Sequence, residues 1–147
     1  MGLMKDYDSS RVTVTFGPNL LTGFAKGSRV EITFPDQFTK QVGSDGEVMR
    51  SKSNDGTAQV KIKLAQTSFS NDALSAVYSA DRLAPFGVGV LPLMILDLNG
   101  TTLFAAPQAW ITKLPDASFD SDAGSREWVL DTGDLSPATT IGGNVVG

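Results

Sequence analysis

Three segments of this sequence alternate between apolar and polar residues with a period of two. They cover residues 11–16, 29–34 and 59–64. Successive side chains of a β-strand point to opposite faces, so this pattern predicts antiparallel strands with one face buried and the other in water. No helix accommodates such an alternation, and most of the chain is therefore predicted to be β.

Turn residues divide the remaining chain into further strands. Tight hairpins need positive φ angles, which Asp-Gly and Asn-Gly pairs supply readily. The pairs are Asp45-Gly46, Asp55-Gly56 and Asn99-Gly100. The last pair lies between residues 94–98 and 101–105, which are predicted to pair with each other. Further strands are predicted at residues 109–114 and 126–131.

One segment has the period of a helix. Its predicted core face contains apolar residues at i, i+3 and i+4, namely Leu74, Val77 and Tyr78. Ser70 or Asn71 is predicted to cap the start, Asp72 suits the first turn, and Pro85 ends the helix. The predicted fold class is thus mainly β, with two antiparallel sheets forming a sandwich or barrel and one flanking α-helix.

Two segments contain few large apolar residues. Residues 39–57 are rich in Gly, Ser, Asp and Asn, and are predicted to form a long loop, which in a compact domain usually has a function. Residues 136–147 are predicted to be a flexible C-terminal arm. The remainder, residues 1–135, is predicted to be a single domain, in line with the usual ~100–200 residues per domain.

The composition excludes several kinds of chemistry. The sequence contains neither Cys nor His. Disulfides and thiolate sites are thereby excluded, and the commonest general base and nitrogen ligand of transition metals are missing. The first residues have no apolar segment typical of a signal peptide. The longest apolar run, residues 86–96, is shorter than the ~20 residues that span a bilayer.

The remaining candidates for chemistry are weak. Residues 120–124 look like part of a calcium loop, but Glu127 comes too early to complete the EF-hand pattern. Glycosidases need two carboxyl groups across a cleft, and sequence does not place the available ones there. These are Asp45, Glu47, Asp131 and Asp134. Trp110 and Trp128 lie in predicted strands, where core positions are favoured over interface positions. No enzymatic activity, cofactor or metal is predicted.

Charge is distributed unevenly along the chain. Residues 1–70 contain nine basic and seven acidic residues, whereas residues 71–147 contain three basic and nine acidic ones. The net charges are therefore +2 and −6. This predicts either two surfaces of opposite sign that meet between copies, or an acidic wall facing a channel, and chance clustering is the alternative. The sequence contains no basic patch with interleaved aromatic residues, so specific binding to nucleic acid is not predicted.

Residues 42–82 combine a Gly/Asp-rich loop, an alternating strand and a helix start in that order. This segment resembles the corresponding part of the tail tube proteins of contractile-tailed bacteriophages. In those proteins a "GxDGEVMRS" loop precedes a strand and a "QTSxSNDxLSA" helix start. The matching residues are Gly43, Asp45, Gly46, Glu47, Val48, Met49, Arg50, Ser51, Gln66, Thr67, Ser68, Ser70, Asn71, Asp72, Leu74, Ser75 and Ala76. The pair Glu127-Trp128 and the weaker strand pattern extend the resemblance over most of the chain.

The resemblance implies a structural protein of the virion tail, assembled in the host cytoplasm. Six copies would close into a ring, and rings would stack into a hollow tube through which DNA passes without specific binding. The implied partners are copies of itself, the tail sheath protein, and the baseplate and tail terminator proteins, with no membrane. Residues 39–57 would reach the adjacent ring. The implied inter-ring residues are Gly43, Asp45, Gly46, Glu47, Val48, Met49, Arg50, Ser51, Asn54 and Asp55.

Two alternatives remain open at the level of sequence. Ring or tube proteins of type VI secretion systems and phage-like bacteriocins share the fold that the resemblance implies. A monomeric ligand-binding β-barrel belongs to a different class and would require an internal cavity lined by apolar and polar side chains.

Overall fold

The structure is a computed structural model that describes residues 12–24, 30–98, 100–117, 119 and 124–142. This part of the chain contains nine strands and one helix. The strands are β1 (Val12–Phe16), β2 (Asn19–Leu21), β3 (Val30–Thr33), β4 (Phe38–Val42), β5 (Val48–Lys52), β6 (Gln59–Ala65), β7 (Leu91–Asp97), β8 (Leu103–Lys113) and β9 (Ser125–Thr132). The helix, α1 (Ser70–Leu83), lies between β6 and β7 in the sequence.

Seven strands form one large sheet in the order β2-β1-β7-β8-β9-β6-β3, while β4 and β5 form a separate two-stranded sheet. All neighbouring strands are antiparallel. The predicted fold class, mainly β with antiparallel sheets and one helix, is confirmed, although the two sheets differ greatly in size. The predicted pairing of residues 94–98 with residues 101–105 is also confirmed, since Met94 opposes Ala105. Asn99 of the predicted turn lies outside the described residues.

The long strand β8 joins the two halves of the large sheet. Its first part pairs with β7 and its second part with β9. Between these parts, the register shifts where Pro92 of β7 faces two residues of β8, Pro107 and Gln108. Proline has no amide to donate to a ladder and is tolerated in sheets at such bulges, which also bend the strand.

The large sheet curls so that its apolar face surrounds one core. Beyond the end of β2, Phe24 forms a bridge with Leu64 of β6, near the opposite edge of the sheet. Phe34, which follows β3, contacts Phe104 of β8 with ring centroids 6.2 Å apart. The buried apolar cluster consists of Val14, Phe16, Leu21, Ala58, Val60, Ile62, Leu64, Leu74, Leu93, Ile95, Phe104, Ala106, Ala109, Ile111, Trp128 and Leu130. Alternation along the strands supplies most of these residues.

The helix α1 covers the predicted segment, but its start is not capped as predicted. It ends at Leu83, and Ala84 is extended because the following Pro85 disfavours helical backbone before it. The predicted caps are wrong, since the capping residue is Phe69 and its side chain makes no capping bond. The amide of Ser70 instead donates to the Ser68 hydroxyl oxygen (3.2 Å).

Asn71 ties the start of α1 to the sheet instead of capping the helix. Its side-chain oxygen accepts a hydrogen bond from the indole N–H of Trp128 (2.9 Å). Its side-chain nitrogen donates to the carbonyl oxygens of Ala65 (2.9 Å) and Ser68 (3.1 Å). One side chain therefore links the helix, the end of β6 and the core of β9.

The predicted core face of α1 lies against the sheet. Leu74 is fully buried, and Val77 and Tyr78 are partly buried against the same cluster. A buried leucine leaves a cavity when it is truncated, whereas an exposed one does not. Leu83, at the end of the same helix, is 87% exposed and offers a matched comparison.

Leu74→Ala is expected to lower the free energy of unfolding by about 2–5 kcal/mol, because the change removes buried methyl groups and leaves a cavity. Leu83→Ala, the same substitution at an exposed position, is expected to stay within about 0.5 kcal/mol of the wild type. Urea unfolding followed by circular dichroism measures both variants. Equal effects would show that Leu74 contributes no more to the core than a surface residue.

The segment predicted as a long loop is largely a β-hairpin. Strands β4 and β5 and the turn between them span residues 38–52, so the prediction of a long loop is wrong for this part of the segment. The predicted turn at Asp45-Gly46 is present, with Gly46 at a φ of 86°. Both faces of the hairpin are exposed, so its strands do not show the alternation of buried and exposed residues seen in the large sheet.

The C-terminal segment also differs from its prediction. The amide of Ser136 donates to the Ala105 carbonyl (2.9 Å), and Thr140 and Leu103 exchange two backbone hydrogen bonds of 2.7 and 2.8 Å. Residues 136–142 are therefore not a free arm. They satisfy backbone groups along the first part of β8, where β9 no longer reaches. Residues 143–147 lie outside the described residues.

Candidate assembly surfaces

The β4–β5 hairpin projects from the body of the protein. All ten of its strand residues are exposed, and its strands pair only with each other. At the base, the amide of Ser53 donates to the Gln37 carbonyl (2.6 Å). At five residues per strand and ~3.4 Å per residue, the hairpin extends roughly 17 Å beyond this base.

Local hydrogen bonds shape the tip of the hairpin. The amide of Gly43 donates to the Glu47 carbonyl (2.7 Å), and the amide of Gly46 donates to the Gly43 carbonyl (2.9 Å). The carboxylate of Asp45 accepts a hydrogen bond from the amide of Glu47 (3.1 Å). A side chain at position 46 would be strained, because a φ of 86° belongs to the left-handed region that glycine adopts freely.

The two faces of the hairpin differ in chemistry. The strand register places three cations and three apolar residues on one face, which we call the cationic face. Its residues are Phe38, Lys40, Val42, Val48, Arg50 and Lys52. The opposite face carries Thr39, Gln41, Met49 and Ser51 and no charge. The guanidinium carbon of Arg50 lies 4.4 Å from the centroid of the Phe38 ring.

The residues predicted from the resemblance divide between the hairpin and its base. The structure brings eight of them together in the tip and in β5, namely Gly43, Asp45, Gly46, Glu47, Val48, Met49, Arg50 and Ser51. Asn54 and Asp55 follow the hairpin. The predicted hairpin turn at Asp55-Gly56 is wrong, since Gly56 has no positive φ and the segment connects β5 to β6 of the other sheet.

A groove of about 550 Å³ lies beside the base of the hairpin. Gln59, Asp131 and Trp110 are neighbours in register on β6, β9 and β8 and form its floor. Asp55 and Phe34 belong to its wall. The groove thus combines two carboxylates with aromatic surface, and no Lys or Arg lines it in the part of the chain that the structure describes.

The carboxylates of the groove form no ion pair with any residue that the structure describes. Within the described ranges the ion pairs join Lys63 to Glu127 and Lys113 to Asp116, each at 3.8 Å. The hydroxyl and the amide of Thr57 both donate to Asp55, and these hydrogen bonds lower the pKa of the Asp55 carboxyl. Asp55 is therefore ionised over a wider pH range than an ordinary aspartate.

The two tryptophans occupy different environments. Trp128 is buried in the core, as predicted. Trp110 is only partly buried and lies on the outer face of β8 as part of the groove, so the prediction that it belongs to the core is wrong. The neighbouring core positions of β8 are Ala109 and Ile111, which leaves Trp110 on the opposite face. Its position in the alternation could have indicated this.

A second exposed surface is apolar. Met94, Leu96 and Leu98 alternate with buried residues of β7 or follow it, and are between 36% and 52% exposed. Between α1 and β7, the chain exposes Phe86 and Val88 as well. The outer face of an antiparallel sheet in water is ordinarily polar, and exposed apolar patches mark interaction sites.

The described residues do not assemble a recognisable centre for metal binding. Among them, no group of three or more His, Cys, Asp or Glu residues could hold a metal ion. Asp45 and Glu47 lie at the hairpin tip, while Asp131 lines the groove at its base. The loop that contains Asp120 and Asp122 lies outside the described residues. No helix within the described ranges is long and apolar enough to cross a membrane.

Solved structures with the same fold come from contractile injection systems. A chain of the anti-feeding prophage cap, a tube-terminating cap, aligns with a TM-score of 0.64 and 14% identity, covering 92% of this chain and 93% of that one. A chain of the sheath–tube complex of the extracellular contractile injection system PVC aligns with a TM-score of 0.61 and 16% identity, covering 95% and 93%. The fold is therefore that of proteins found in such tubes and caps.

The relationship to phages is visible in the sequence itself. The family described as "Bacteriophage PhiTE tail tube protein" matches residues 8–139. The structural protein ORF10 of Pseudomonas phage KPP10 is 31% identical over 136 residues, which cover 88% of this chain and 79% of that protein. This chain belongs to the PhiTE tail tube protein family. It is a structural protein of the phage tail, and its family is not a class of enzymes.

Proposed function

We propose that this tail tube protein forms six-membered rings, that the rings stack into a hollow tube, and that DNA passes through the tube during ejection. The observation that carries the proposal is the exposed β4–β5 hairpin on a member of this family. All of its strand residues are exposed, so the hairpin is suited to contacts with a neighbouring copy. The inter-ring role of residues 39–57 remains part of this proposal.

Two further features support assembly from many copies. Strands β2 and β3 end the large sheet and each has a neighbour on one side only among the described strands, so each offers an edge to another chain. Head-to-tail contacts that use different surfaces on each copy generate rings when the rotation closes. The exposed apolar residues of β7 provide area that a permanent contact would remove from water.

We propose that the acidic charge of the chain allows DNA to pass through the tube without binding to it. Residues 71–147 carry a net charge of −6, and an acidic lumen would repel phosphates and let DNA slide without specific binding. The proposed partners outside the ring are the tail sheath, baseplate and tail terminator proteins. The similar solved chains come from a sheath–tube complex and from tube-terminating assemblies, which supports this choice. Assembly would take place in the host cytoplasm.

Negative-stain electron microscopy and sedimentation of the purified protein test the proposal. We expect six-membered rings or tubes at high protein concentration, and faster growth when fragments of finished tubes are added as seeds. A protein that remains monomeric with seeds and at every salt concentration would contradict it. Closed rings with a different number of subunits would be consistent with the proposed tube but would contradict the assignment of six copies per ring.

The two alternative functions have less support. Tube proteins of related injection systems share the fold, but the family match and the 31% identical relative are both from phages. A ligand-binding barrel needs an internal cavity, whereas large side chains such as Trp128, Phe16 and Phe104 fill the interior of the curled sheet.

A further inference from the structure

The cationic face of the hairpin has a feature that costs stability in an isolated chain. Lys40 lies directly opposite Arg50 in the strand register, and Lys52 follows on the same face. Like charges at directly opposed positions destabilise a strand pair. The tip carboxylates Asp45 and Glu47 lie in the turn outside this ladder. An acidic surface of another molecule would offset the repulsion.

The groove beside the hairpin base has the complementary chemistry. Asp55 and Asp131 line it without an ion-pair partner among the described residues. Asp134 lies close by, since a Cβ atom at Gly56 would be 3.2 Å from its carboxylate oxygen. By contrast, Glu127 at the start of β9 is already paired with Lys63. Three carboxylates that have no ion pair among the described residues therefore lie in or beside this groove.

The apolar parts of the two surfaces also match. The cationic face exposes Phe38, Val42 and Val48, each by more than half. The groove offers the partly buried ring of Trp110 and the 40% exposed ring of Phe34. Aromatic rings accept both apolar side chains and the guanidinium or ammonium groups of Arg and Lys. The groove is not lined by any residue of its own hairpin, so its volume remains available to a second molecule.

We propose that the cationic face of the β4–β5 hairpin of one copy docks in the Asp55–Asp131–Trp110 groove of a neighbouring copy. The proposal rests on the tube assembly proposed above and identifies the two surfaces that meet. Three cations would face the two carboxylates that line the groove and a third, Asp134, that lies beside it. The hairpin's reach of roughly 17 Å allows it to bridge two copies. Each copy donates one hairpin and accepts another, so the contact is head-to-tail and continues through an assembly.

Removal of charge from one face of the hairpin tests the docking. Lys40→Gln with Arg50→Gln lowers the charge of the cationic face by two, and Gln41→Glu with Ser51→Glu lowers the hairpin charge equally on the other face. We expect the first variant to slow assembly, followed by light scattering, by at least about tenfold, and the second by less than about twofold. Equal slowing by both variants would overturn the proposal, because net charge alone would then explain the effect.

Charge exchange provides the stricter test. Lys40→Glu with Arg50→Glu is expected to block assembly, and adding Asp55→Lys with Asp131→Lys is expected to restore it. Adding Asp116→Lys with Glu127→Lys, a matched change away from the groove, is expected to leave assembly blocked. If the wild-type protein forms tubes but the groove substitutions do not restore assembly of the hairpin variant, this docking is wrong and the proposed tube still stands. Failure of wild-type protein to assemble would instead contradict the proposed function.

Disulfide trapping reads the contact directly and does not depend on folding of the charge-reversed variants. The chain contains no Cys, so Arg50→Cys with Asp131→Cys introduces the only thiols. We expect oxidised tubes of this variant to yield ladders of linked chains on a non-reducing gel. Gln41→Cys with Asp131→Cys, which moves the first thiol to the other face, is expected to yield none. A ladder from the second pair and none from the first would reverse the assignment of the docking face.

Discussion

Replacing residues 38–52 by an Asn-Gly turn is expected to abolish tube assembly and to leave the body of the protein folded. The base of the hairpin is closed by the hydrogen bond between Ser53 and Gln37, so a two-residue turn can join these positions. The removed strands pair only with each other and contribute no residue to the core. Sedimentation and electron microscopy measure assembly, and urea unfolding measures the stability of the body.

The two measurements separate the possible outcomes. We expect the free energy of unfolding to change by about 1 kcal/mol or less, because only exposed residues are removed. Tubes formed by the shortened chain would contradict a role of the hairpin between copies. Loss of cooperative unfolding would show that the hairpin supports the core. A replacement of Gln41 by Glu, which leaves the hairpin in place, is the matched control and is expected to assemble.

Trp128→Ala is expected to lower the free energy of unfolding by about 3–5 kcal/mol. The side chain is 1% exposed and lies in the main core, so truncation leaves a large cavity. The change also leaves the side-chain oxygen of Asn71 without the indole N–H that binds it. Since Asn71 connects α1 to β6 and β9, the helix is expected to dock less firmly on the sheet. Thermal and urea unfolding measure the loss.

The second tryptophan provides the comparison for Trp128. Trp110→Ala removes the same number of atoms from the outer face of β8 and is expected to cost no more than about 1 kcal/mol. Its effect should instead appear in assembly, because Trp110 belongs to the groove proposed to receive the hairpin. Similar losses of stability in both variants would contradict the distinct environments of the two side chains. Normal assembly by the Trp110 variant would remove this ring from the docking site.

The alternating segments allowed the strands and most of the core to be predicted from the sequence. Val60, Ile62 and Leu64 are fully buried, as their period of two requires. The buried face of α1 could be predicted in the same way, because side chains three or four residues apart in a helix lie on the same face. The capping prediction failed because the side chain of Asn71 bonds to Ala65 of β6 and to Trp128 of β9, and Trp128 is far from it in the sequence.

The candidate site was predicted only in part. The tip of the hairpin and the residues of β5 follow from the resemblance at residues 42–82, and the turn follows from Asp45-Gly46. The groove was missed, because Asp55 and Asp131 are far apart in the sequence and meet only where β6 pairs with β9. The cationic face was missed as well, since it appears only when the register of β4 and β5 is known.

The sequence by itself determined the strands whose apolar residues alternate, the extent of the helix and which face of these elements is buried. These properties depend on the side chain and the few residues around it, because backbone geometry sets the periodicity of each element. The tertiary structure alone decided that β4 and β5 form a separate hairpin and that residues 136–142 pair with β8. These outcomes depend on which distant backbone groups and side chains remain unpaired once the sheet has curled around its core.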